Sequence, residues 1–209
     1  MPDTLPNAPP RPQSRIQRRN REAILEAALD VFSAQGFGGA TVDQIADAAG
    51  LSKPNLLYYF PSKEAIHLEL LSGLLDIWLA PLRALDPAGE PMTEILAYLD
   101  RKLEMSRELP RESRLFANEI LQGAPHMRAV IEGELKLLVD EKAAVIRAWS
   151  EAGHIAAVNP YHLIFSIWAL TQHYADFDMQ VRAVLGPDHD PFAEAGTFVH
   201  MVYTRLLQS

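Results

Sequence analysis

The stretch HLIFSIWALTQHYADF, residues 162–177, combines aromatic side chains with an amide and a carboxylate at helical spacing. At about 100° per residue, a helix places Phe165, Trp168, Gln172 and Asp176 on one side. Burying an amide or a carboxylate is costly unless new hydrogen bonds replace those lost to water. The pattern therefore predicts a ligand whose polar groups meet these side chains, or else pairing with water or with a partner subunit.

Other kinds of chemistry find less support in the residue types. His173 and Asp176 stand three positions apart, but no further ligand pattern accompanies them, so we predict no metal site. The chain has no Cys, which excludes disulfides, zinc–thiolate sites and cysteine nucleophiles. We find no Ser-His-Asp pattern, phosphate-binding loop or carboxylate pair placed for catalysis. Binding is therefore favoured, and an all-helical enzyme is the alternative in another class.

The elements that must position these residues are helices. Almost every segment after Gln17 has apolar residues three and four positions apart, and no stretch alternates with period two, so we predict an all-α fold. Pro81 is predicted to kink the fourth helix and to free the carbonyl of Ile77. The predicted helices lie near 17–34, 42–49, a short segment from 53, 63–85, 92–108, 113–122, 125–152, 160–184 and 192–207.

The charge is unevenly distributed along the chain. The Pro-rich residues 1–16 form a basic tail that we predict to be disordered. Through Lys63 there are seven Lys and Arg against six Asp and Glu, and from Glu64 onward twelve against twenty-one, for a net charge of -8. Arginines without an acidic residue among them occupy positions 11, 15, 18, 19 and 21. This asymmetry indicates a DNA-binding module on an acidic body, or a solubilising basic arm.

The sequence shows no secretory signal and no run near the roughly 20 apolar residues of a membrane span. We therefore expect a soluble, cytoplasmic protein. At 209 residues the chain can bury a substantial core without a metal or disulfide.

The strongest local pattern is TVDQIADAAGLSKPNLLYYFPSKEAI, residues 41–66. Thr41 and Gln44 form a capping box, Gly50 closes the second helix, and Ser52 caps a third. Three helices with a glycine turn before the last are typical of a helix-turn-helix, although a plain helical hairpin has the same periodicity. The stretch resembles the DNA-binding signature of the TetR family of bacterial repressors.

The resemblance covers nearly the whole chain after residue 17. LLYYFPSKEA, LDIWLAPLRA, LKLLVDEKAAVI, HLIFSIWA and TQHYADF are similar, within that family, to the Rut-type regulators of pyrimidine utilisation. This implies a homodimer whose subunits have a helix-turn-helix DNA-binding domain at 17–62 and a helical ligand-binding and dimerisation domain at 63–209. It also implies repression from a near-palindromic operator, relieved by uracil or thymine. A TetR-type repressor for another aromatic or lipophilic effector is the alternative.

Within that framework, side chains of the third helix would read bases or phosphates, while Thr41 and Lys63 would contact the DNA backbone. Leu57 and Tyr59 depart from the Tyr and His common in the family, which argues against a phosphate contact from position 57. We predict that Leu56 and Phe60 belong to the core and that Ser52 is chiefly a cap. The predicted DNA-binding residues are Thr41, Ser52, Lys53, Asn55, Tyr58, Tyr59 and Lys63.

The implied pyrimidine also suggests how a ligand would be held. Gln172 offers one donor and one acceptor to a ring edge, and Trp78 with Trp168 can cover the ring faces. Trp78 follows Lys63 by fifteen residues, about 22 Å along one helix, so a ligand touching it could bias the DNA-binding domain. Effector, DNA and a second subunit are the expected partners, with no cofactor. The predicted ligand-binding residues are Trp78, Phe165, Trp168, Gln172, His173 and Asp176.

Overall fold

The computed structural model describes residues 14–208, which are helical with no strand among them, as predicted. The predicted tail lies outside the described residues up to position 13, and Arg11 with it. A π-helical turn, Ile131–Leu135, lies between the helical segments Arg128–Val130 and Lys136–Glu151. The helices are α1 (Arg15–Gly39), α2 (Val42–Ala48), α3 (Lys53–Tyr59), α4 (Lys63–Arg83), α5 (Pro91–Glu108), α6 (Pro110–Leu121), α7 (Arg128–Val130), α8 (Lys136–Glu151), α9 (Pro160–Asp176), α10 (Asp178–Leu185) and α11 (Ala195–Leu207).

The first three helices begin where a side-chain oxygen can accept a free backbone N–H. Ser14, Thr41 and Ser52 are the N-caps, and Gln17 and Gln44 complete capping boxes at α1 and α2. Such a cap stabilises a helix by about 1 kcal/mol. The predicted caps of α2 and α3 are confirmed. Because Ser14 is the N-cap, α1 begins at Arg15, two residues before the predicted start. The prediction of disorder was therefore wrong for residues 15 and 16.

Gly36 bends α1 near its end. Its φ of 69° and ψ of 169° interrupt the helix, and a last turn follows to Gly39. Positive φ is accessible to glycine without a steric penalty, so the chain can turn at this point. The predicted end of α1 at Ala34 was therefore too early.

α1 also packs against the body, the name we give to α4–α11. Its buried face contains Ile24, Ala28 and Phe32. Outside this face, Arg111 Nη1 of α6 lies 2.8 Å from Glu26 Oε1 and 2.6 Å from Asp30 Oδ1 of α1. α1 therefore belongs to the core of the first three helices and to the contact with α6.

α4 is the central helix of the body. It buries Leu71, Leu75, Trp78 and Leu82 and contacts α1, α5, α6 and α8. Within residues 14–208, α4 is also the one helix that is long and apolar enough to cross a membrane. The prediction that no apolar run approaches the length of a membrane span was therefore wrong. The packing of α4 is that of a core helix. It continues through Pro81 to Arg83.

Two predicted helices are each divided in the structure. Residues 125–152 form α7, the π-helical turn and α8, while 160–184 are interrupted at Phe177, which has φ -113° and ψ 27°. No proline marks either break. α6 starts at Pro110 rather than Ser113, because a first-turn proline loses no helical hydrogen bond. α11 starts at Ala195, three residues later than predicted.

Substitutions at two adjacent leucines test which side of α3 faces the core. Leu56 is fully buried and Leu57 is 38% exposed. Leu56→Ala should lower the free energy of unfolding by about 2–5 kcal/mol, because it leaves a cavity in the core. Leu57→Ala, the matched control, should change it by about 0.5 kcal/mol or less. Urea denaturation followed by circular dichroism measures both; equal losses would contradict this register.

Candidate functional sites: a DNA-binding surface and a ligand cavity

α3 has one buried side and one exposed side. Leu56 and Phe60 are buried, which confirms both as core residues. Lys53, Asn55 and Tyr58 are exposed. An exposed helix face of this kind can enter a major groove and reach base edges.

Some of the predicted DNA-binding side chains make polar contacts within the subunit. Lys53 Nζ donates to Asp43 Oδ2 at 2.8 Å, and both side chains are about half exposed. The hydroxyl of Tyr59 accepts a hydrogen bond from Asn20 at 2.9 Å, whereas Tyr58 is 71% exposed. Exposed ion pairs contribute little free energy, so Lys53 can exchange Asp43 for DNA at small cost.

The remaining three predicted DNA-binding residues have structural contacts. The hydroxyls of Thr41 and Ser52 accept backbone N–H groups as N-caps. Lys63 Nζ donates to the carbonyls of Phe37 and Ala40 at 2.7 and 2.8 Å, and lies 4.3 Å from the centre of the Phe37 ring. Lys63 thus holds the end of α1 against the start of α4, a role that its position in the motif did not reveal.

The first turns of α1 lie beside α3, because Gln17 Nε2 donates to the Tyr58 hydroxyl at 3.4 Å. Arg21 is bound to Glu69 and stacks over the ring of Phe60, 4.3 Å from its centre. It therefore serves the packing of α1 on α4. The arginines exposed on these first turns are Arg15, Arg18 and Arg19.

A cavity of about 650 Å³, which we call the outer cavity, lies between the body and α1. This volume falls within the range of about 300–1,000 Å³ that is typical of small-molecule sites. The predicted residues Trp168, Gln172 and Asp176 line it, and α6 and the π-helical turn supply most of the other walls. Ser33 and Ala34 of α1 complete the wall. The DNA-binding helices and the cavity therefore share a helix, which the sequence analysis missed.

A smaller chamber of about 40 Å³, the inner chamber, adjoins the outer cavity. Phe116, Leu135, Trp168 and Gln172 line both spaces. The other residues of the inner chamber are Leu75, Trp78, Leu79 and Lys102. Three of the predicted ligand-binding residues, Trp78, Trp168 and Gln172, thus meet at one place.

Lys102 is a polar residue of this site that the sequence analysis missed. It is 1% exposed, and its Nζ lies 4.8 Å from the centre of the Trp78 ring. Burial lowers the pKa of Lys102 to about 7, although the nearby charge of Asp176 acts in the opposite direction. A buried amine that titrates near neutral pH beside a cavity is typical of a functional site.

The helical period carried a signal for Lys102. Lys102 lies three and four positions after Leu99 and Tyr98, and three before Met105, and all of these are buried. This period places the lysine on the apolar face of α5. Because lysines are almost never fully buried, composition alone favours a solvated side chain.

The polar atoms around the cavity differ in their partners. Burial raises the pKa of Asp176, and the Ser113 hydroxyl donates to its Oδ1 at 2.5 Å. The indole N–H of Trp168 donates to the Tyr98 hydroxyl at 2.6 Å. The indole Nε1 of Trp78 is buried and has no acceptor in the part of the chain that the structure describes. Trp78 therefore has an N–H that a ligand acceptor could satisfy.

Phe165 and His173 do not line these two spaces. Phe165 is 46% exposed and borders a separate hollow with Tyr161 and Trp168. His173 is exposed and stacks on Phe177, with ring centres 5.1 Å apart. The Ile77 side chain is also half exposed, away from the lining. The sequence analysis placed Phe165 on the same side of α9 as Trp168, Gln172 and Asp176. In the structure, α9 has three faces, which lie against the core, the cavity and the surface.

Replacing Lys102 by Met should stabilise the chain most at low pH. The unfolded lysine binds its proton up to its ordinary pKa of 10.5, but the folded one only below about 7. The free energy of unfolding of the wild type therefore rises with pH between these two values, because the unfolded state binds a proton there that the folded state has lost. The Met variant lacks this dependence. A gain of about 1 kcal/mol raises the Tm by about 2–4 °C in a chain of this size.

Thermal unfolding from neutral to alkaline pH measures this gap. Lys102→Met should melt above the wild type near pH 7, and the difference should shrink as the pH rises. Lys53→Met, at a half-exposed lysine, is the matched control and should show no such convergence. A gap that stays constant with pH would contradict the assigned pKa of Lys102.

Family profiles match both parts of the chain. Residues 24–70 match "Bacterial regulatory proteins, tetR family", and residues 71–209 match "YcdC-like protein, C-terminal region", a TetR-type C-terminal family. The HTH-type transcriptional regulator RutR of Escherichia coli K12 is 53% identical over 174 residues, which cover 83% of this chain and 82% of that protein. SrpR of Pseudomonas putida, another HTH-type transcriptional regulator, is 31% identical over 60% of this chain and 68% of its own.

Solved structures share the fold at lower sequence identity. AibR in complex with isovaleryl coenzyme A and operator DNA has a TM-score of 0.72 and 19% identity, covering 88% of this chain and 97% of its own. The transcriptional regulator SCO4942 of Streptomyces coelicolor has a TM-score of 0.64 and 24% identity, covering 90% and 98%. At these identities, the likeness shows the fold alone.

Proposed function

This chain belongs to the TetR family of bacterial transcriptional regulators, and on that premise we propose that it is a cytoplasmic, homodimeric repressor released from a near-palindromic operator by uracil or thymine. The relatives named above are regulators of transcription. The observation that carries the effector proposal is the meeting of Trp78, Lys102, Trp168 and Gln172 at the inner chamber.

The exposed face of α3 supports DNA reading by Lys53, Asn55 and Tyr58. A lysine can donate to guanine O6 or N7, and an asparagine can bond an adenine edge. A single short helix reaches few bases, so specific binding requires two copies on half-sites about one helical turn, or a multiple of it, apart. The exposed arginines at the start of α1 add phosphate attraction that does not depend on sequence.

Apolar side chains exposed on the last three helices support a dimer. Soluble monomers rarely expose large contiguous apolar areas, and such areas commonly mark protein interfaces. A self-complementary interface would also produce the two-fold symmetry that a near-palindromic operator requires. The exposed apolar residues on α9–α11 are Phe165, Met179, Val184, Leu185, Phe198, Met201 and Leu206.

The chemistry of a pyrimidine matches the inner chamber and the adjoining wall. Its ring is flat and carries alternating carbonyl acceptors and N–H donors on its edge. The Gln172 amide can pair with a neighbouring N–H and C=O, while the Trp78 indole N–H and the Lys102 Nζ can each donate to a carbonyl. Trp168, whose own N–H is held by Tyr98, would provide a ring face.

The shared helix α1 supports a route from effector to DNA. Ser33 and Ala34 of α1 line the outer cavity, and α4 carries Trp78 at the inner chamber. A ligand that favours the arrangement unable to bind DNA would shift both helices, and DNA and ligand would then weaken each other equally. Such couplings are typically about 1–3 kcal/mol, or roughly 5- to 150-fold.

The volume of the outer cavity favours a second candidate, a larger aromatic or lipophilic effector. Its 650 Å³ are lined in part by Ile120, Leu121 and Phe177, which offer an apolar surface to such a molecule. A thermal-shift screen of pyrimidines against lipophilic compounds separates the candidates, because a ligand selective for the native state raises its stability.

Lys53→Ala should weaken specific operator binding by about 1–3 kcal/mol if Lys53 contacts a guanine. The loss should be smaller on DNA in which that base pair has been changed. Fluorescence anisotropy with the duplex upstream of the gene measures both affinities. Lys136→Ala, which removes an exposed lysine of α8 in the body, is the control. Equal losses for Lys53→Ala on every duplex would instead indicate a phosphate contact.

Gln172→Ala should weaken uracil binding about tenfold or more, because each unmet hydrogen bond in a buried site costs about 1–3 kcal/mol. It should also raise the uracil concentration needed for release from DNA, with operator affinity unchanged. His173→Ala is the matched control, since this neighbouring side chain is exposed on another face. Calorimetry and anisotropy measure the two effects. If Gln172→Ala binds uracil like the wild type, the pocket assignment is wrong.

A further inference from the structure

A second cluster of polar side chains lies where α4, α6 and the loop before α7 meet. Glu119 Oε2 is 3.2 Å from His67 Nε2 and 3.1 Å from His126 Nδ1. The three ligand atoms all lie within 4.8 Å of one another. His67 and Glu119 are buried, and His126 is partly buried at the edge of the cluster. The sequence did not reveal this group, because its members are 52 and 7 positions apart.

These separations suit a tetrahedral cation. Zinc bonds of about 2.0–2.2 Å to nitrogen and oxygen place two ligand atoms about 3.4 Å apart. Both measured separations to the carboxylate oxygen are close to this value. A small closure of the two imidazoles around Glu119 would complete three ligands and leave a fourth position for water, the arrangement of an open zinc site.

The carboxylate is also held as a ligand would be. Glu119 Oε1 accepts the backbone N–H of His126 at 2.7 Å, which fixes the group while Oε2 faces the imidazoles. An outer hydrogen bond of this kind commonly orients a metal ligand. Within residues 14–208, the two imidazoles are the only basic side chains within 4.0 Å of the Glu119 carboxylate. A divalent cation would therefore compensate a buried negative charge.

The donor set points to a particular class of metal. Two imidazoles and one carboxylate suit zinc and other late first-row divalent ions, whereas magnesium and calcium prefer sites built from oxygen. We propose that His67, Glu119 and His126 bind one zinc ion per subunit. This site is separate from the effector cavity, and the proposal stands independently of the pyrimidine.

A zinc ion here would clamp the joint between the DNA-binding helices and the body. The ring of Phe37, from the last turn of α1, lies 4.8 Å from the rings of His67 and His126. Glu119 belongs to α6, whose neighbouring residues Asn118 and Ile120 line the outer cavity. The ion would tie α4 to α6 beneath Phe37 and stiffen the segments that link the effector cavity to α1.

Calorimetric titration of the full-length chain with zinc, after removal of metals by a chelator, tests the proposal. We expect one ion per subunit and a higher Tm in its presence. His126→Ala and Glu119→Gln should each weaken binding more than about tenfold, since even outer-shell changes cost about 10- to 100-fold. His173→Ala, at an exposed histidine outside the cluster, should leave the affinity unchanged.

Cobalt provides a measurement that does not depend on how the variants fold. Bound to the wild type in place of zinc, it should give the intense visible absorption of a four-coordinate ion, and one equivalent of zinc should abolish it. Two results would overturn the proposal. One is the absence of stoichiometric zinc binding to the wild type; the other is binding that His173→Ala removes and the two cluster variants retain.

Discussion

The packing of α1 against α6 is the contact on which the relation between the two parts of the chain depends. One face of α1 completes the core of the first three helices, and Arg111 of α6 holds its outer side through Glu26 and Asp30. Further along the same helix, Ser33 and Ala34 form part of the cavity wall. The same helix thus takes part in the core of the first three helices, in the contact with α6 and in the cavity wall. A change in the cavity wall therefore also affects the other two.

This arrangement gives the proposed switch a short path. The sequence suggested that α4 carries the signal over the distance from Trp78 to Lys63, and α4 does connect the inner chamber to the DNA-binding helices. α1 adds a more direct connection, since it touches both the outer cavity and α3, through the contact of Gln17 with Tyr58. Because α1 lines the outer cavity and α4 lines the adjoining inner chamber, movement of these two helices can reorient the DNA-binding helices without any rearrangement of their core.

Local signals in the sequence predicted the DNA-binding part better than the cavity. Caps and the glycine turn are properties of a few adjacent residues, so Thr41 and Ser52 were identified as helix starts. Trp168, Gln172 and Asp176 share a face of one helix, and the helical period was enough to group them. Lys102 and the wall from α1 could not be placed, because they depend on how helices distant in sequence pack together. The break at Phe177 and the π-helical turn at Ile131–Leu135 likewise have no strong local signal.

The buried amine of Lys102 has a consequence for what the inner chamber excludes. Specificity is a difference of affinities, and a site can achieve it by penalising the wrong molecule as well as by attracting the right one. A positively charged amphiphile of suitable shape would meet the protonated form of Lys102, which exists below a pKa of about 7, in a medium of low dielectric constant, where like charges repel strongly. A neutral ring with carbonyl groups meets no such repulsion. In the proposed effector site, the protonated form of this lysine would therefore disfavour cationic molecules.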